Sequence, residues 1–340
     1  MAIESQRITD KTVWEKFLAT QPEANFLQSW NWGVFHEKMG QTVIRTGFYD
    51  DTKLVGLMLT IVEDARRGRY LTVPGGPIID WDSEGLVKAA LGSMEAIARE
   101  QKCVFVRVRP QLHDSDKSRQ LFNELGFRPS PMHLHAELTT QLDLTQSEED
   151  ILKNMRKKTR YEVRQAKKLG VTVAHTDDPS VVQEFYDLQM QTAERHKFVP
   201  FSYEYLHEQF STFATDNEVL MYRAEHEGNL LAEAFIIFYG NEAAYHYGAS
   251  TDAGRDKPGA YAIQWAAIRE AKKRGIKRYN FWGVTHPDET KHRFYGVSVF
   301  KRGFGGEDVS YLHAHDLVIR KLAYKKNWLI ESIRKRTRHV

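Results

Sequence analysis

The 340-residue chain lacks the features of a disulfide-stabilised or membrane-spanning protein. Its single cysteine, Cys103, excludes an intramolecular disulfide and any cysteine-rich metal site. That residue opens the apolar run Cys103 to Val108, where a small buried side chain is expected. No apolar run is long enough to span a bilayer, and the stretch MAIESQRITDKTVWEKF has no signal-peptide core. We therefore expect a cytoplasmic protein.

Acidic residues are scarce in two segments, and this gives the chain a localised positive charge. The formal net charge is only +3, with 41% hydrophobic and 27% charged residues, which is typical of a folded globular protein. Residues 151–168 and 319–340 each contain eight Lys/Arg and one acid, so each carries +7 and the other 300 residues carry −11. Such separation favours contact with phosphate, either in nucleic acid or on an anionic membrane surface.

The first basic segment is predicted to be one helix from Ile151 to Lys168, after a strand between Leu134 and Leu144. Thr145 or Ser147 is a candidate N-cap. An apolar stripe follows helical spacing through Leu152, Met155, Thr159, Val163 and Ala166. The cations lack Glu partners at i+4, which favours polyanion contact over a solvated face. The candidate contacts are Arg156, Lys157, Arg160 and Arg164.

An internal duplication determines the predicted fold. EGNLLAEAFIIFYGNEAAYHYGAS followed by PGAYAIQWAAIREAKKRGIKRYNFWGV parallels TKLVGLMLTIVEDARRGRYLTVPGG followed by SEGLVKAALGSMEAIAREQKCVFVRV, at an offset of about 175 residues. Each copy has two strands, a helix ending in basic residues and a further strand. This order predicts an α/β protein of two tandem N-acetyltransferase-like domains with mixed sheets, over residues 1–145 and 146–340.

Two histidines raise the question of a metal. His133 and His135 lie two apart on the predicted strand with Glu137, so all three are expected on one face. A metal site needs a third partner nearby, and the sequence indicates none, so we expect no metal. No Ser-His-Asp or Cys-His nucleophile set is visible either.

Lys301 lies in FYGVSVFKRGFGG, where Val297 to Phe300 is predicted to be a short strand and three glycines follow. A lysine at a strand end borders a cleft in many α/β folds. A surface lysine is the alternative, but the flanking aromatic residues and glycines favour a functional position.

Three stretches resemble a known family: PMHLHAELTTQLDLTQSEEDILKNMRKKTRYEVRQA, TAERHKFVPFSYEYL and FYGVSVFKRGFGG. They are similar to the Fem-type (FemABX) peptidoglycan bridge-forming aminoacyltransferases, which transfer an amino acid from aminoacyl-tRNA to a stem-peptide amine of a cell-wall precursor. The resemblance implies two acetyltransferase-like domains and no cofactor besides the aminoacyl-tRNA co-substrate. Because no long heptad pattern is present, the chain resembles members without a coiled-coil arm.

The resemblance also implies roles for individual residues. The family's catalytic Phe-Lys pair falls on Phe300 and Lys301, and its substrate-contacting tyrosines fall on Tyr205 and Tyr247. The family's acidic residue at the end of the first repeat's last strand corresponds to Arg109 in this chain. A family arginine that binds precursor phosphates corresponds to Phe201. These departures leave the general base unassigned and leave the precursor diphosphate to other cations, such as Lys38 or Arg109.

We expect the reaction to need alignment of two substrates and stabilisation of an oxyanion, which the Lys301 ammonium could supply. An acyl-CoA-dependent N-acyltransferase is one alternative, although RDKPGA only approximates a pyrophosphate loop. A non-catalytic RNA-binding protein is another. The basic C-terminal segment, with Trp328, Leu329 and Ile333, is expected to form an interfacial helix or to dock on the domain, and an interfacial helix would contact the inner face of the cell membrane.

Overall fold

The computed structural model describes residues 3–65, 68–196 and 199–338. The described elements, in chain order, are β1 (Glu4–Arg7), α1 (Lys11–Leu18), α2 (Trp30–Lys38), β2 (Thr42–Asp50), β3 (Lys53–Ala65), β4 (Gly68–Pro74), α3 (Glu84–Glu100), β5 (Phe105–Arg109), α4 (Asp116–Glu124), β6 (Arg128–Pro129), β7 (Leu138–Asp143), α5 (Glu148–Asn154), α6 (Lys157–Lys168), β8 (Thr172–Thr176), α7 (Val182–His196), α8 (Tyr203–Ala214), β9 (Val219–His226), β10 (Asn229–Tyr239), β11 (Glu242–Ser250), α9 (Gly259–Lys273), β12 (Arg278–Gly283), α10 (Tyr295–Arg302), β13 (Glu307–Ser310), β14 (His315–Val318) and α11 (Lys321–Arg338).

The chain forms two units, of which unit 1 comprises Met1–Glu137 and Ser310–Val340. Its sheet has the order β1-β2-β3-β4-β5-β14-β6, and β4 and β5 are parallel, from Leu71 opposite Val106 to Pro74 opposite Arg109. Helix α3 packs its apolar face on this sheet through Leu86, Met94 and other residues, and the core includes the buried Cys103. The unit is a mixed α/β layer structure, as predicted.

The C-terminal segment belongs to unit 1, whereas the sequence placed all of 146–340 in the second domain. Strand β14 inserts antiparallel between β5 and β6, with His315 opposite Val108 and opposite Pro129. The buried Arg107 guanidinium also holds this segment, because it donates to both Asp316 carboxylate oxygens at 2.8 and 2.9 Å and to Glu331 Oε2 at 2.8 Å. The pairing partner of β5 is therefore supplied by residues about 200 positions later, which local patterning does not indicate.

Unit 2 comprises Leu138–Val309 and has the sheet order β13-β7-β12-β11-β10-β9-β8. Strands β11 and β12 are its parallel pair. Here β7 occupies the position that β14 occupies in unit 1, so the two sheets have equivalent strand orders and the predicted duplication is confirmed. The connection differs, because β7 is the first strand of unit 2 and β14 is the last strand of unit 1. Among the described residues of unit 2 no helix exceeds the 15 residues of α7 and α9, which agrees with the expected lack of a coiled-coil arm.

The predicted helix from Ile151 to Lys168 is in fact two helices, α5 and α6. Ser147 caps α5, since its Oγ accepts the Asp150 N–H at 3.1 Å. Met155 and Arg156 then adopt extended backbone, and the Arg156 N–H donates to the Gly303 carbonyl at 2.9 Å. Gly305, at φ +87°, packs so closely that a Cβ there would lie 2.7 Å from the Asn154 carbonyl oxygen. The glycine-rich segment after α10 therefore packs against the break, a tertiary contact that overrides helix propensity.

Candidate functional site

A gap opens in the sheet of unit 2 where β11 and β12 separate. Their parallel pairing ends at Ala244 opposite Asn280, although β11 continues to Ser250 against β10. A register shift in β11 puts Tyr245 opposite Ile236 and Tyr247 opposite Phe235, which leaves His246 as an extra residue. Such bulges redirect side chains and end pairing beside many active sites. We take this gap as the candidate site.

Lys301 lies beside this gap, but on a helix. The predicted strand Val297 to Phe300 is wrong, because these residues belong to α10. The Lys301 side chain is only 8% exposed. Its Nζ donates to the Gly283 carbonyl at the end of β12 at 2.7 Å and lies 5.6 Å from the centre of the Tyr245 ring. Burial lowers the pKa of this lysine to about 7, so its ammonium is poised to respond to a nearby charge.

The helix that carries Lys301 is fixed to the segment after β12. Ser298 Oγ accepts the Thr285 N–H at 2.9 Å, and Arg302 Nη2 donates to the Thr285 carbonyl at 2.6 Å. Arg302 also pairs with Asp308 at 2.8 Å. These bonds explain why a segment that contains the strand-favouring residues Val297 and Val299 forms a short helix here, and they hold the Lys301 backbone in place.

Phe300, the other member of the predicted catalytic pair, packs against Tyr261 and Phe304, with ring centres 4.9 and 5.4 Å apart. It thus contributes to the hydrophobic core of unit 2. These contacts give it a packing role that supports α10.

The two predicted substrate tyrosines are brought together on one wall. Phe201 stacks on Tyr205 with ring centres 4.8 Å apart and lies 5.2 Å from the Tyr247 ring. Burial, and then the adjacent Tyr205, raise the pKa of Tyr247 well above its usual value, so Tyr247 remains a neutral hydroxyl. Phe201 itself is 42% exposed. Phe201, at the position where the resemblance implies an arginine, therefore extends this aromatic wall.

Two residues of the site were missed in the sequence. His246 Nε2 accepts a hydrogen bond from Gln209 Nε2 at 3.1 Å, and burial lowers the pKa of His246 to about 3, so its ring is neutral. Trp282 has φ +62° and contacts the His246 ring at 5.4 Å. The strained backbone of a tryptophan is a mark of functional sites. In the sequence, the motif YHYG indicates only Tyr247, through the resemblance, and not His246. Nothing in NFWGV indicates the positive φ of Trp282.

Lys38 and Arg109 lie in unit 1. Lys38 is exposed at the end of α2. Arg109 is 2% exposed, donates to Gln111 Oε1 at 2.8 Å and lies 5.5 Å from the centre of the Tyr311 ring. The two cations thus differ: one faces solvent, and the other is embedded in the end of β5.

The basic surface of α6 is largely free of acidic partners. Arg156, Lys157 and Arg164 are exposed, and within the described part of the chain no ion pair joins them to a carboxylate. Arg160 is different, because its Nη1 donates to the Leu152 and Lys153 carbonyls at 3.3 and 2.8 Å and so caps α5. Tyr161, 59% exposed, lies among these cations. The helix therefore presents a concentrated positive surface with an aromatic ring.

Helix α11 has two distinct faces. Tyr324, Asn327 and Glu331 recur at spacings of three and four and are 4–5% exposed, so they dock the helix on unit 1. Leu322, Leu329 and Ile333 lie on the opposite face and are 53–85% exposed. Exposed lysines, Lys325 and Lys326, flank this apolar stripe. No helix within the described residues is long and apolar enough to cross a membrane.

Comparison with known proteins gives consistent matches over most of the chain. The FemAB family model matches residues 9–124, 130–227 and 217–332. Aminoacyltransferase FemA of Staphylococcus aureus (strain MRSA252) is 22% identical over 405 aligned residues, covering 92% of this chain and 96% of the relative. The crystal structure of FemX superimposes with a TM-score of 0.87 at 18% identity, covering 96% of this chain and 100% of that one. A tandem GNAT protein from the clavulanic acid biosynthesis pathway gives 0.59 at 13% identity, covering 93% and 98%.

These structural likenesses establish the tandem acetyltransferase-like fold that the duplication predicted. The predicted enzyme class, an aminoacyltransferase, is confirmed by the curated relatives and the family match. The chain belongs to the FemAB family.

Proposed function

We propose that the protein transfers an amino acid from aminoacyl-tRNA to the stem-peptide amine of a peptidoglycan precursor. Family membership supports the aminoacyl transfer, and the similarity to FemA and FemX supports the cell-wall acceptor. The observation that carries the proposal is the buried Lys301, which donates to the last carbonyl of β12 beside the gap in the unit 2 sheet. A buried cation with so few partners suits a reaction in which negative charge develops nearby.

The reaction requires mainly that the two substrates are aligned and that the oxyanion of the aminoacyl ester is stabilised. The acceptor amine nitrogen attacks the carbonyl carbon of the aminoacyl ester, and the carbonyl oxygen becomes an oxyanion. The Lys301 ammonium stabilises that oxyanion in a site of low dielectric constant. Collapse of the intermediate breaks the bond to the tRNA oxygen, the amine gives up a proton, and the terminal hydroxyl of the tRNA gains one. An approaching anion raises the pKa of the lysine and so favours its charged form.

The aromatic wall of Phe201, Tyr205 and Tyr247 is proposed to hold the substrate next to this lysine. Neutral phenol hydroxyls can donate hydrogen bonds to a peptide without the cost of burying charge. Lys38 is kept as a candidate for the phosphates of the precursor because its side chain is exposed. Arg109 is buried and bonded to Gln111, which suits a structural role better than phosphate binding.

Helix α6 is proposed as the tRNA contact. Exposed cations without acidic partners are the arrangement expected for neutralising phosphates, and an exposed tyrosine can stack on an unpaired base. Arg156, Lys157 and Arg164 are the strongest candidates. The Arg160 guanidinium instead donates to the carbonyls at the end of α5 and stabilises that helix.

The outer face of α11 is proposed to bind an anionic membrane surface at the cytoplasmic leaflet. An apolar stripe flanked by lysines is the pattern of interfacial helices, which combine apolar insertion with attraction to anionic lipids. Docking through Tyr324 and Glu331 does not compete with this, because it uses the opposite face. Such contact would favour a lipid-linked acceptor.

The experiment that tests the function measures transfer of labelled amino acids from charged tRNA to nucleotide-linked and lipid-linked precursors. We expect an amide-linked product with at least one acceptor. Acylation by acetyl-CoA with no transfer from aminoacyl-tRNA would instead identify an acyl-CoA-dependent N-acyltransferase. Tight tRNA binding without transfer to either acceptor would identify an RNA-binding protein.

A further inference from the structure

Three side chains of unit 1 converge at the point where the loop before β7 meets the segment before β14. His133 Nδ1 and His313 Nδ1 lie 2.6 and 2.8 Å from Glu137 Oε2, and all three atoms lie within 4.8 Å of one another. The sequence alone predicts no metal, because it indicates no third partner for His133 and His135. His313, 180 positions away in sequence from His133, is that partner. We propose that His133, Glu137 and His313 form a binding site for a divalent transition-metal cation of the zinc class.

The tautomer of His313 leaves its Nδ1 available as a metal ligand. Its Nε2 lies 2.7 Å from the Ser130 carbonyl oxygen, which can only accept, so Nε2 carries the proton. In the neutral ring Nδ1 then presents a lone pair to the carboxylate oxygen of Glu137. Two acceptors at 2.8 Å require a proton or a cation between them. A histidine that binds metal through one nitrogen commonly donates from the other to a backbone carbonyl, and His313 is oriented in this way.

Glu137 is oriented for the same role. Its Oε1 accepts the Ala314 N–H at 2.9 Å, which fixes the carboxylate and directs Oε2 towards both imidazoles. His315 Nδ1 bonds to the His313 carbonyl at 2.6 Å and supports the backbone behind the ring. Each ligand on the His313 side thus has an outer partner, as metal ligands usually do.

The donor set and its exposure indicate the kind of ion. Two imidazoles and one carboxylate suit zinc, whereas magnesium and calcium prefer oxygen ligands only. The side chains of His133, His313 and Glu137 are 49%, 29% and 12% exposed, so a water or substrate can complete the coordination. Ligand atoms around zinc lie about 3.3 Å apart for bonds of about 2.0–2.1 Å. Both contacts of Glu137 Oε2 therefore have to widen when zinc binds, by about 0.7 Å towards His133 and by about 0.5 Å towards His313. The half-exposed His133 ring lies on an irregular loop that leaves it room to move, and small rotations of the Glu137 and His313 side chains supply the other change.

His135 supplies a matched control. The sequence placed His133, His135 and Glu137 on one strand face, but residues 131–137 precede β7 as an irregular loop. The His135 ring turns away to pack edge-on against Trp32, with ring centres 6.0 Å apart. It is therefore a neighbouring histidine that the proposed site does not use.

The test uses the untagged full-length protein after dialysis against a chelator. Titration with zinc chloride at neutral pH, followed by calorimetry, is expected to show one site, and cobalt substitution is expected to give the visible absorption of a low-coordinate Co²⁺ site. Glu137→Gln and His133→Ala are each expected to weaken zinc binding by at least about 10- to 100-fold. His135→Ala is expected to leave it unchanged.

The outcome that contradicts the proposal is equally defined. His133→Ala changes an exposed loop residue, so it is expected to fold even if Glu137→Gln does not, and circular dichroism checks both. Absence of zinc binding to the folded wild-type protein would mean that protons alone occupy the cluster. Equal zinc affinity of wild-type protein and His133→Ala would place any bound zinc at another histidine.

Discussion

The two units share a strand order but end their parallel strand pairs differently. In unit 1, β4 ends where its pairing with β5 ends, at Pro74 opposite Arg109. The adjacent carbonyls are bonded by neutral amides: Gln28 Nε2 donates to Pro74 at 2.7 Å and Asn25 Nδ2 to Gly75 at 2.8 Å. In unit 2, β11 continues past its pairing with β12, and an ionisable amine, Lys301, bonds the end of β12.

From this difference we propose that unit 1 is a structural copy and unit 2 a reactive copy of the duplicated fold. Neutral amides fill hydrogen-bonding positions at the same energy over a wide pH range. A buried amine does so at an electrostatic cost, which is why its pKa is lowered to about 7. Costs of this kind persist where they serve function, so we locate the chemistry in unit 2.

The largest effect is expected on the stability of unit 1, from a substitution of its buried Arg107. Arg107→Met leaves the Asp316 and Glu331 carboxylates buried without their cation, which costs about 3–5 kcal/mol of unfolding free energy. Chemical denaturation of the full-length protein measures this. Arg99→Met, which changes an exposed arginine of α3, is the control and is expected to cost under about 1 kcal/mol. Equal losses for both variants would show that the Arg107 network contributes little.

In unit 2, the pH dependence of the unfolding free energy tests the lowered pKa of Lys301. The folded-state pKa of Lys301 is lowered to about 7, whereas the unfolded-state pKa is near 10.5, so between these values the unfolded state holds more protons. Stability due to this group therefore rises with pH, by at most about 1.4 kcal/mol per pH unit. We expect the difference in stability between wild type and Lys301→Met to change in favour of wild type from pH 7 to 10. A constant difference across that range would contradict the lowered pKa.

The contribution of the basic helix α6 to tRNA binding can be compared with that of an equal number of surface cations in unit 1. Changing Arg156, Lys157 and Arg164 together to Gln is expected to weaken tRNA binding and to reduce its logarithmic salt slope by about 2 to 3, since each phosphate contact contributes about 0.7–0.9. Filter binding over a salt series measures both quantities. Changing Lys88, Arg99 and Lys102 of unit 1 to Gln removes the same formal charge and serves as control. If the two triple variants behave alike, α6 is a solvated face.

The smallest expected effect concerns α11. Leu322→Ser, Leu329→Ser and Ile333→Ser together are expected to reduce sedimentation with anionic vesicles by about tenfold or more, because each apolar side chain contributes on the order of 1 kcal/mol at the interface. Their exposure predicts little change in folding stability. Neutral vesicles provide the control. Unaltered sedimentation of the triple variant would remove α11 from the membrane contact.

Local patterns predicted most of the secondary structure, because the apolar run of β3 and the apolar stripes of α3 and α9 reflect burial directly. Contacts distant in sequence were not predictable in this way. The insertion of β14 depends on β5, the break before α6 depends on Gly303, and the His133 cluster depends on His313. Lys301 was identified through its motif, but its helix was missed because the bonds of Thr285 and Ser298 stabilise it.

The central claim is that Lys301 stabilises the oxyanion of the aminoacyl ester. The most direct measurement is single-turnover transfer from aminoacyl-tRNA by Lys301→Met, with Lys277→Met, an exposed lysine of the same unit, as control. We expect a transfer rate lower by about two to three orders of magnitude with unchanged tRNA affinity, which is the usual result of losing one such donor. Undiminished transfer by folded Lys301→Met would exclude Lys301 as the oxyanion donor and leave Lys38 or the substrates themselves as the source of catalysis.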